Sequence, residues 1–221
     1  VTFRECYGDG TIIVHGSPGA GAKTIKFEGC WTDSRIDIIG DVRDVVVRDC
    51  RSFVGSTGIS IRPQVTDDII DGVIIEGYSY QWVESLTRPI VIRQDHTAQN
   101  TVVRNVTIRG GFFSSGVILR IEDNGLPWTV SNISLLDSVH TEPPGYAFDR
   151  AAIVITATGA LTIENLHLER NVFEKGVRAA SVIHFHDISA ASAPNISLIA
   201  NDVRNLNNII LNDSGSSTYS I

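Results

Sequence analysis

The sequence predicts an all-β fold, a single-stranded right-handed parallel β-helix of about eight stacked coils. A short strand of the form apolar-x-apolar recurs eight times along the chain. When these strands are aligned, equivalent positions carry matching residue types, as expected for a solenoid in which each coil adds one rung. The general handedness of parallel crossovers makes the coiling right-handed.

The first strand of each coil is the clearest repeating element. It begins at Val1, Ile25, Val45, Val73, Val106, Ile133, Leu166 and Ile196. The residues that precede the later seven strands are Thr24, Asp44, Gly72, Asn105, Asn132, Asn165 and Asn195. Since Asn, Asp and Gly tolerate a left-handed backbone, the sequence predicts a sharp bend before each strand.

Two aligned columns test this register. Five positions after the first strand residue the sequence reads Cys6, Cys30, Cys50, Tyr78, Gly111, Ser138, Asn171 and Asn201. With rungs roughly 4.8 Å apart, the cysteines form an internal ladder of stacked small side chains, or one neighbouring pair forms a disulfide. The outward column that starts Arg4, Glu28, Arg48, Glu76 and Arg109 alternates in charge, which predicts a cross-strand charge ladder.

A second strand follows in each coil, with its middle residue pointing outward. These triplets begin at Ile12, Ile36, Ile59, Ile90, Val117, Ile153, Ile183 and Ile209. The later outward residues include Val91, Ile118, Val154 and Ile210, which are apolar. Loops or neighbouring chains must cover such a row, and the second option predicts a homotrimer.

The bulk properties restrict the class of protein. The 221 residues are expected to form one domain spanning 1–221, and the absence of methionine suggests an excerpt of a longer chain. The net charge of −7 argues against a nucleic-acid partner. No apolar run approaches the roughly 20 residues of a membrane span. A doubly wound α/β domain is disfavoured because connections such as 110–116 are too short for helices.

The coil unit resembles a known superfamily. Residues 105–119 read Asn-Val-Thr-Ile-x-x-Gly … Gly-Val-Ile-Leu, and residues 44–61 read Asp-Val-Val-Val-x-x-Cys … Gly-Ile-Ser-Ile. Both resemble the coil of the pectate-lyase-like superfamily, which includes polysaccharide lyases, glycoside hydrolases, sugar epimerases and trimeric phage tailspikes. The resemblance implies the fold and not the chemistry, and the catalytic signatures of pectate lyases and polygalacturonases are absent.

The strongest candidate site follows the second strand. It is a row of three arginines, Arg62, Arg93 and Arg120, in consecutive coils. Asp95 and Glu122 come two residues after Arg93 and Arg120, and His96 and Asp123 are adjacent to them. The guanidinium groups would bind an acidic polysaccharide, with Asp95, Glu122 and Arg93 as catalytic groups. The alternative is a second structural ladder of ion pairs.

Two further candidates are aromatic or histidine-rich. The loop from His140 to Arg150 contains a set of side chains suited to binding a glycan, namely His140, Glu142, Tyr146, Asp149 and Arg150. Tyr80 and Trp82 could stack on sugar rings, as could Trp31 and Trp128 on turns. Each group could equally serve an ordinary connection or the core. His184 and His186 lack a third ligand column, so the sequence predicts neither a metal nor another cofactor.

These observations predict a glycan-contacting module of a phage tailspike or tail fibre, located at an extracellular or virion surface. Its partner would be a host polysaccharide, which it would bind or also depolymerise. A second hypothesis is a secreted polysaccharide lyase or glycoside hydrolase acting on an acidic polymer. A third is a structural spacer without a ligand.

Overall fold

A computed structural model of the chain shows an all-β fold made of three parallel sheets. The structure describes residues 1–17, 19, 22–52, 57–81, 88–115, 117–141, 151–156, 161–174, 181–186, 195–204 and 208–212. Within these segments no helix is long and apolar enough to cross a membrane.

Each of the three sheets contains eight strands. Sheet A contains β1 (Thr2–Arg4), β4 (Ala22–Glu28), β7 (Val42–Arg48), β10 (Ile69–Glu76), β13 (Thr101–Arg109), β16 (Trp128–Leu136), β19 (Leu161–Glu169) and β22 (Ile196–Ile199). Sheet B contains β2 (Tyr7–Gly8), β5 (Trp31–Thr32), β8 (Arg51–Ser52), β11 (Ser79–Gln81), β14 (Phe112–Ser114), β17 (Val139–Thr141), β20 (Val172–Glu174) and β23 (Asp202–Arg204). Sheet C contains β3 (Ile12–Gly16), β6 (Ile36–Gly40), β9 (Thr57–Arg62), β12 (Arg88–Arg93), β15 (Leu119–Glu122), β18 (Ala151–Thr156), β21 (Ser181–His186) and β24 (Asn208–Asn212).

Every coil gives one strand to each sheet, and strands of successive coils pair in parallel. Val45 lies opposite Val73, which lies opposite Val106, in the register that the aligned sequence predicts. The parallel β-helix of eight coils is therefore confirmed. Its core is the interior of the coils, filled mainly by Val, Ile, Leu and Phe side chains.

Residues with a left-handed backbone recur at two places in the coils, and the chain bends at each of them. Six of the seven residues predicted to bend have φ between 52° and 73°, but they lie within the strands of sheet A, as Asp44 does in β7, and so bend a longer strand. A second bend, between sheets A and B, was missed. Its left-handed residues are Glu5, Gly29, Asp49, Gly77, Gly110, Asp137, Arg170 and Ala200, with φ between 50° and 63°.

The cysteine column lies inside the coils. Cys30 and Cys50 are buried, Cys6 is partly buried, and all three are free thiols. The ladder of stacked small side chains is confirmed and the disulfide alternative is not formed. Burial raises the pKa of the Cys50 thiol to about 12, so this thiol stays protonated and chemically inert near neutral pH.

The charge ladder on sheet A is also confirmed. Arg4 Nε lies 2.9 Å from Glu28 Oε2, and Arg48 Nε lies 2.8 Å from Glu76 Oε2. Arg109 Nη2 lies 2.8 Å from Glu76 Oε1. Glu76 thus bridges two coils through two arginines, in the in-register stacking that the sequence predicted.

Glu76→Gln is expected to lower the melting temperature slightly at neutral pH, by no more than about 3 °C. Hydrogen bonds from Arg48 and Arg109 hold the pKa of Glu76 below its ordinary value. A depressed pKa gives stability that is present above the unfolded value of about 4.3 and is lost as the pH falls through the lower folded value. Thermal unfolding at pH 7 and pH 3 should therefore show a difference between wild type and variant only at pH 7.

The second-strand prediction is wrong in the fifth and eighth coils. Ile90 pairs with Leu119 rather than Val117, and Ile183 pairs with Ile210 rather than Ile209. Ile118 is consequently part of the main core and does not point outward. The true outward column of this sheet contains Val91, Arg120, Val154 and His184 in consecutive coils.

Within this column Val91 and Val154 are buried by the chain itself. Val154 packs against Val117 and Ala151 in a small cluster separate from the main core. The apolar row therefore needs no neighbouring chain to cover it. The sequence argument for a homotrimer rested on that row, and the structure removes it.

Candidate functional site

The three predicted arginines do not form one row. Arg62 and Arg93 each follow a registered pair of isoleucines, Ile61 and Ile92. In the next coil Glu122 lies opposite Arg93, while Arg120 lies opposite Val91. The register of the fifth coil is shifted by two residues from the predicted one. The carboxylate of Glu122 therefore lies where the guanidinium of Arg120 was expected.

Asp95 is held by its neighbours on both sides. Arg62 Nη1 lies 3.4 Å from Asp95 Oδ2, and His96 Nδ1 lies 2.9 Å from Asp95 Oδ1. The side chain of Asp95 is only 14% exposed, whereas that of His96 is 87% exposed. The side chain of Asn124 also donates to the backbone oxygen of Asp95.

Glu122 forms a second ion-pair cluster. Arg88 Nη1 donates to Glu122 Oε1 over 2.6 Å, and Arg120 Nε lies 2.7 Å from the same oxygen. Arg88 was missed by the sequence argument because alternation from Ile90 places it on the inward side. Neighbouring Asp123 accepts a hydrogen bond from the Gly125 backbone in a tight turn.

This arrangement bears on the predicted chemistry. Glycoside hydrolysis needs a pair of carboxyl groups that flank the scissile bond of the sugar. Asp95 and Glu122 each have an arginine partner, so the geometry favours a network of ion pairs. The catalytic roles suggested for Asp95, Glu122 and Arg93 remain predictions.

The prediction that Tyr80 and His140 contact a glycan is wrong, because both side chains are buried. Tyr80 is fully enclosed and lies opposite Phe113 on the inward side of sheet B. His140 lies between Phe113 and Phe173 in the same inward column, with Nε2 2.7 Å from the Ser115 oxygen. Both side chains belong to the core and cannot stack on a sugar from outside.

The other aromatic and loop candidates divide in the same way. Trp128 is buried as well. Trp82, Glu142 and Asp149 lie outside the described residues. Trp31, by contrast, is on the outer face of sheet B with 43% of its surface exposed.

The outer face of sheet B carries a continuous column. In consecutive coils it reads Tyr7, Trp31, Arg51, Ser79, Phe112, Val139, Val172 and Asp202. Tyr7, Trp31 and Phe112 are 50%, 43% and 39% exposed. The rings of Tyr7 and Trp31 contact each other at a centroid distance of 4.1 Å and a tilt of 43°.

A depression lies beside Trp31. It has a volume of about 410 Å³ and is lined by Gly29, Cys30, Trp31, Asp49 and Arg51. Arg51 is exposed and makes no ion pair with any residue that the structure describes. An aromatic face, a guanidinium and a carboxylate therefore line one open concavity.

Polar groups flank this column. Gln81, Ser114, Thr141, Glu174 and Arg204 occupy successive rungs two residues further along the strands. At the other end Tyr7 donates to Asp33 over 2.9 Å. Hydrogen bonds to Asp9 and Asp33 raise the pKa of Tyr7 above its ordinary value, so its ring stays neutral and fixed beside Trp31.

The fold and this face define a three-sheeted parallel β-helix with an exposed aromatic column. No family model and no curated protein matches the chain. Among solved structures it is similar to the N-terminal fragment of gene product 12 of bacteriophage phi29, with a TM-score of 0.37 and 17% identity. The match covers 95% of this chain but only 44% of that one. A likeness at this TM-score carries no weight for function, and the resemblance to the pectate-lyase-like superfamily stays a prediction.

Proposed function

We propose that this chain is a glycan-contacting β-helix module of a phage tailspike or tail fibre, acting at an extracellular or virion surface. The observation that carries the proposal is the exposed pair of Tyr7 and Trp31 beside Arg51 on sheet B. Aromatic rings offer a flat apolar face to the apolar side of a sugar ring. Nearby polar groups then fix the orientation of its hydroxyl groups.

The repeat geometry suits an extended polymer. Successive rungs are roughly 4.8 Å apart, so equivalent side chains recur at a constant spacing along the solenoid axis. The outer column that contains Tyr7, Trp31 and Phe112 runs along this axis, and from Ser79 onward the polar column with Gln81, Ser114 and Thr141 lies beside it. A polysaccharide lying along sheet B would contact both.

Binding without cleavage is the activity that the side chains support best. The carboxylates predicted to be catalytic form ion pairs with arginines: Asp95 pairs with Arg62, and Glu122 pairs with Arg88. The homotrimer that the resemblance to tailspikes implies is retained as part of the proposal. Light scattering in solution tests it, and a monomer at micromolar concentration would contradict it.

Trp31→Ala is expected to weaken binding to an immobilised panel of bacterial surface polysaccharides by about tenfold or more. The variant removes the ring that contacts Tyr7 and lines the depression, while leaving the strand backbone intact. Trp31→Phe keeps an aromatic face and should retain most of the affinity. Val65→Ala, which shortens an exposed apolar side chain outside sheet B, is the matched control.

Two results would overturn the proposal. If Trp31→Ala bound the panel as well as Val65→Ala does, sheet B would not be the glycan surface. If the wild-type chain bound no polysaccharide in the panel, the structural spacer would become the better reading.

A further inference from the structure

A patch of positive charge lies on the outer side of sheet C in a chain whose net charge is −7. We call it the arginine patch, and its members are Arg62, Arg88, Arg93 and Arg120. Three carboxylates accompany these four guanidinium groups, those of Asp95, Glu122 and Asp123. The patch therefore has more positive than negative charge, against the balance of the whole chain.

The ion pairs within the patch leave one arginine uncommitted. Arg62 is paired with Asp95, while Arg88 and Arg120 share Glu122. Arg93 makes no ion pair or side-chain hydrogen bond with any residue that the structure describes. Although it lies opposite Glu122 in the sheet register, that carboxylate pairs through Oε1 with Arg88 and Arg120 and not with Arg93.

The surroundings of Arg93 make an uncompensated charge costly. It is only partly exposed, and Arg62 is its like-charged neighbour one rung away. The Nε atom of Arg62 is buried and has no hydrogen-bond partner. The strands that carry Arg62 and Arg93 are paired, and paired strands are about 4.8 Å apart. Like charges on neighbouring rungs that are partly removed from water repel each other more strongly than they would in bulk solvent.

A bound oxyanion would offset the repulsion between the positive charges of Arg62 and Arg93. The guanidinium fork matches the two oxygens of a carboxylate or sulfate group through parallel charge-assisted hydrogen bonds. A single such group on the outer side of the two rungs can contact Arg93 and the exposed part of Arg62, whose side chain is 23% exposed. It would also offset the excess positive charge of the arginine patch.

We propose that Arg93 and Arg62 form a subsite for an oxyanion substituent of a glycan, a carboxylate or a sulfate ester. The inference rests on the proposed function, since it names the charged class of glycan that the module takes. The subsite lies on sheet C and is separate from the aromatic column on sheet B, so the two surfaces can be tested independently.

The test is calorimetric titration of three soluble probes: a uronate oligosaccharide, sulfated dextran and unsulfated dextran. Wild type is expected to bind the two acidic probes about tenfold more tightly than unsulfated dextran, with a preference that falls as salt is raised. Arg93→Gln should abolish that preference. Arg43→Gln, which removes the same charge from a half-exposed arginine on sheet A, should retain it.

The contrary outcomes are distinct. An acidic preference that survives Arg93→Gln, or that Arg43→Gln reduces equally, would overturn the subsite. Displacement of the uronate oligosaccharide by inorganic sulfate at equal concentration would show a site for free anions and would overturn the glycan assignment. If Trp31→Ala left all three affinities unchanged while Arg93→Gln removed the preference, the sheet B proposal would fail and the subsite would stand.

Discussion

Gly40→Ala is expected to lower the free energy of unfolding by about 3 kcal/mol or more. Gly40 has a φ of +82°, which costs an alanine about 1–2 kcal/mol by itself. It lies opposite Gly16 in the sheet C register. A methyl group at Gly40 would stand 2.2 Å from the backbone oxygen of Gly16, and backbone atoms paired in a sheet cannot swing aside.

Gly125→Ala separates the two contributions. Gly125 has a similar φ of +88°, but a methyl group there would meet no heavy atom within 4 Å. It should therefore lose only about 1–2 kcal/mol, the cost of the left-handed backbone. Urea unfolding of both variants measures the difference, and equal losses would show that the strands of β3 and β6 can move apart.

The features of sheet A were predictable because every coil repeats them. A bend residue, two inward apolar residues and an outward residue between them recur at fixed offsets, so eight copies average out local ambiguity. Asn105, Asn132 and Asn165 bend left-handed as expected. Glu76 meets Arg48 and Arg109 because in-register parallel strands bring equivalent positions together.

The register of sheet C was less predictable because two patterns competed in the fifth coil. Val117-Ile118-Leu119 and Leu119-Arg120-Ile121 both fit the apolar-x-apolar form. The all-apolar triplet was preferred, but pairing with Ile90 selects the second, which places Arg120 outward. Packing of Ile118 into the core decides between them, and a single sequence does not contain that information.

The burial of Tyr80 and His140 could have been found. The cysteine column faces inward, so strand alternation makes the position two residues later inward and the position between them outward. Tyr80 and His140 both stand two residues after that column, whereas Trp31 stands one residue after Cys30. Sheet B strands of two or three residues are too short to show this alternation alone, and only the aligned column reveals it.

Asn171 and Asn201 stack in consecutive coils as an inner asparagine ladder, and this ladder leads to the second strong prediction. Asn171 is buried, and its Nδ2 donates to the Leu135 oxygen over 2.8 Å and to Asn201 Oδ1 over 2.9 Å. Its Oδ1 accepts from the Ser138 backbone over 3.0 Å. Asn171→Asp is expected to cost about 3 kcal/mol at pH 7, because it replaces both donated bonds by a buried carboxylate facing two acceptors.

The loss should depend on pH in a defined direction. Burial beside two acceptor oxygens raises the folded pKa of the new carboxyl above its unfolded value of about 3.9. Since the folded state then binds the proton more tightly, the destabilisation grows as the pH rises above that value. Below it the protonated carboxyl can donate one hydrogen bond to Leu135, so urea unfolding at pH 4 should show a smaller loss than at pH 7.

An outer asparagine ladder, formed by Asn105, Asn132, Asn165 and Asn195, supplies the control for this variant. Asn132 donates to Asn105 over 2.9 Å in the same rung-to-rung manner, but it is exposed, at the left-handed residue within strand β16 of sheet A. Asn132→Asp keeps a residue that tolerates the left-handed backbone, and water can solvate the new carboxylate, so its cost should stay below about 1 kcal/mol. Comparable losses in Asn171→Asp and Asn132→Asp would mean that water reaches the side chain of residue 171. The description of the inner asparagine ladder as dry and fully hydrogen-bonded would then be wrong.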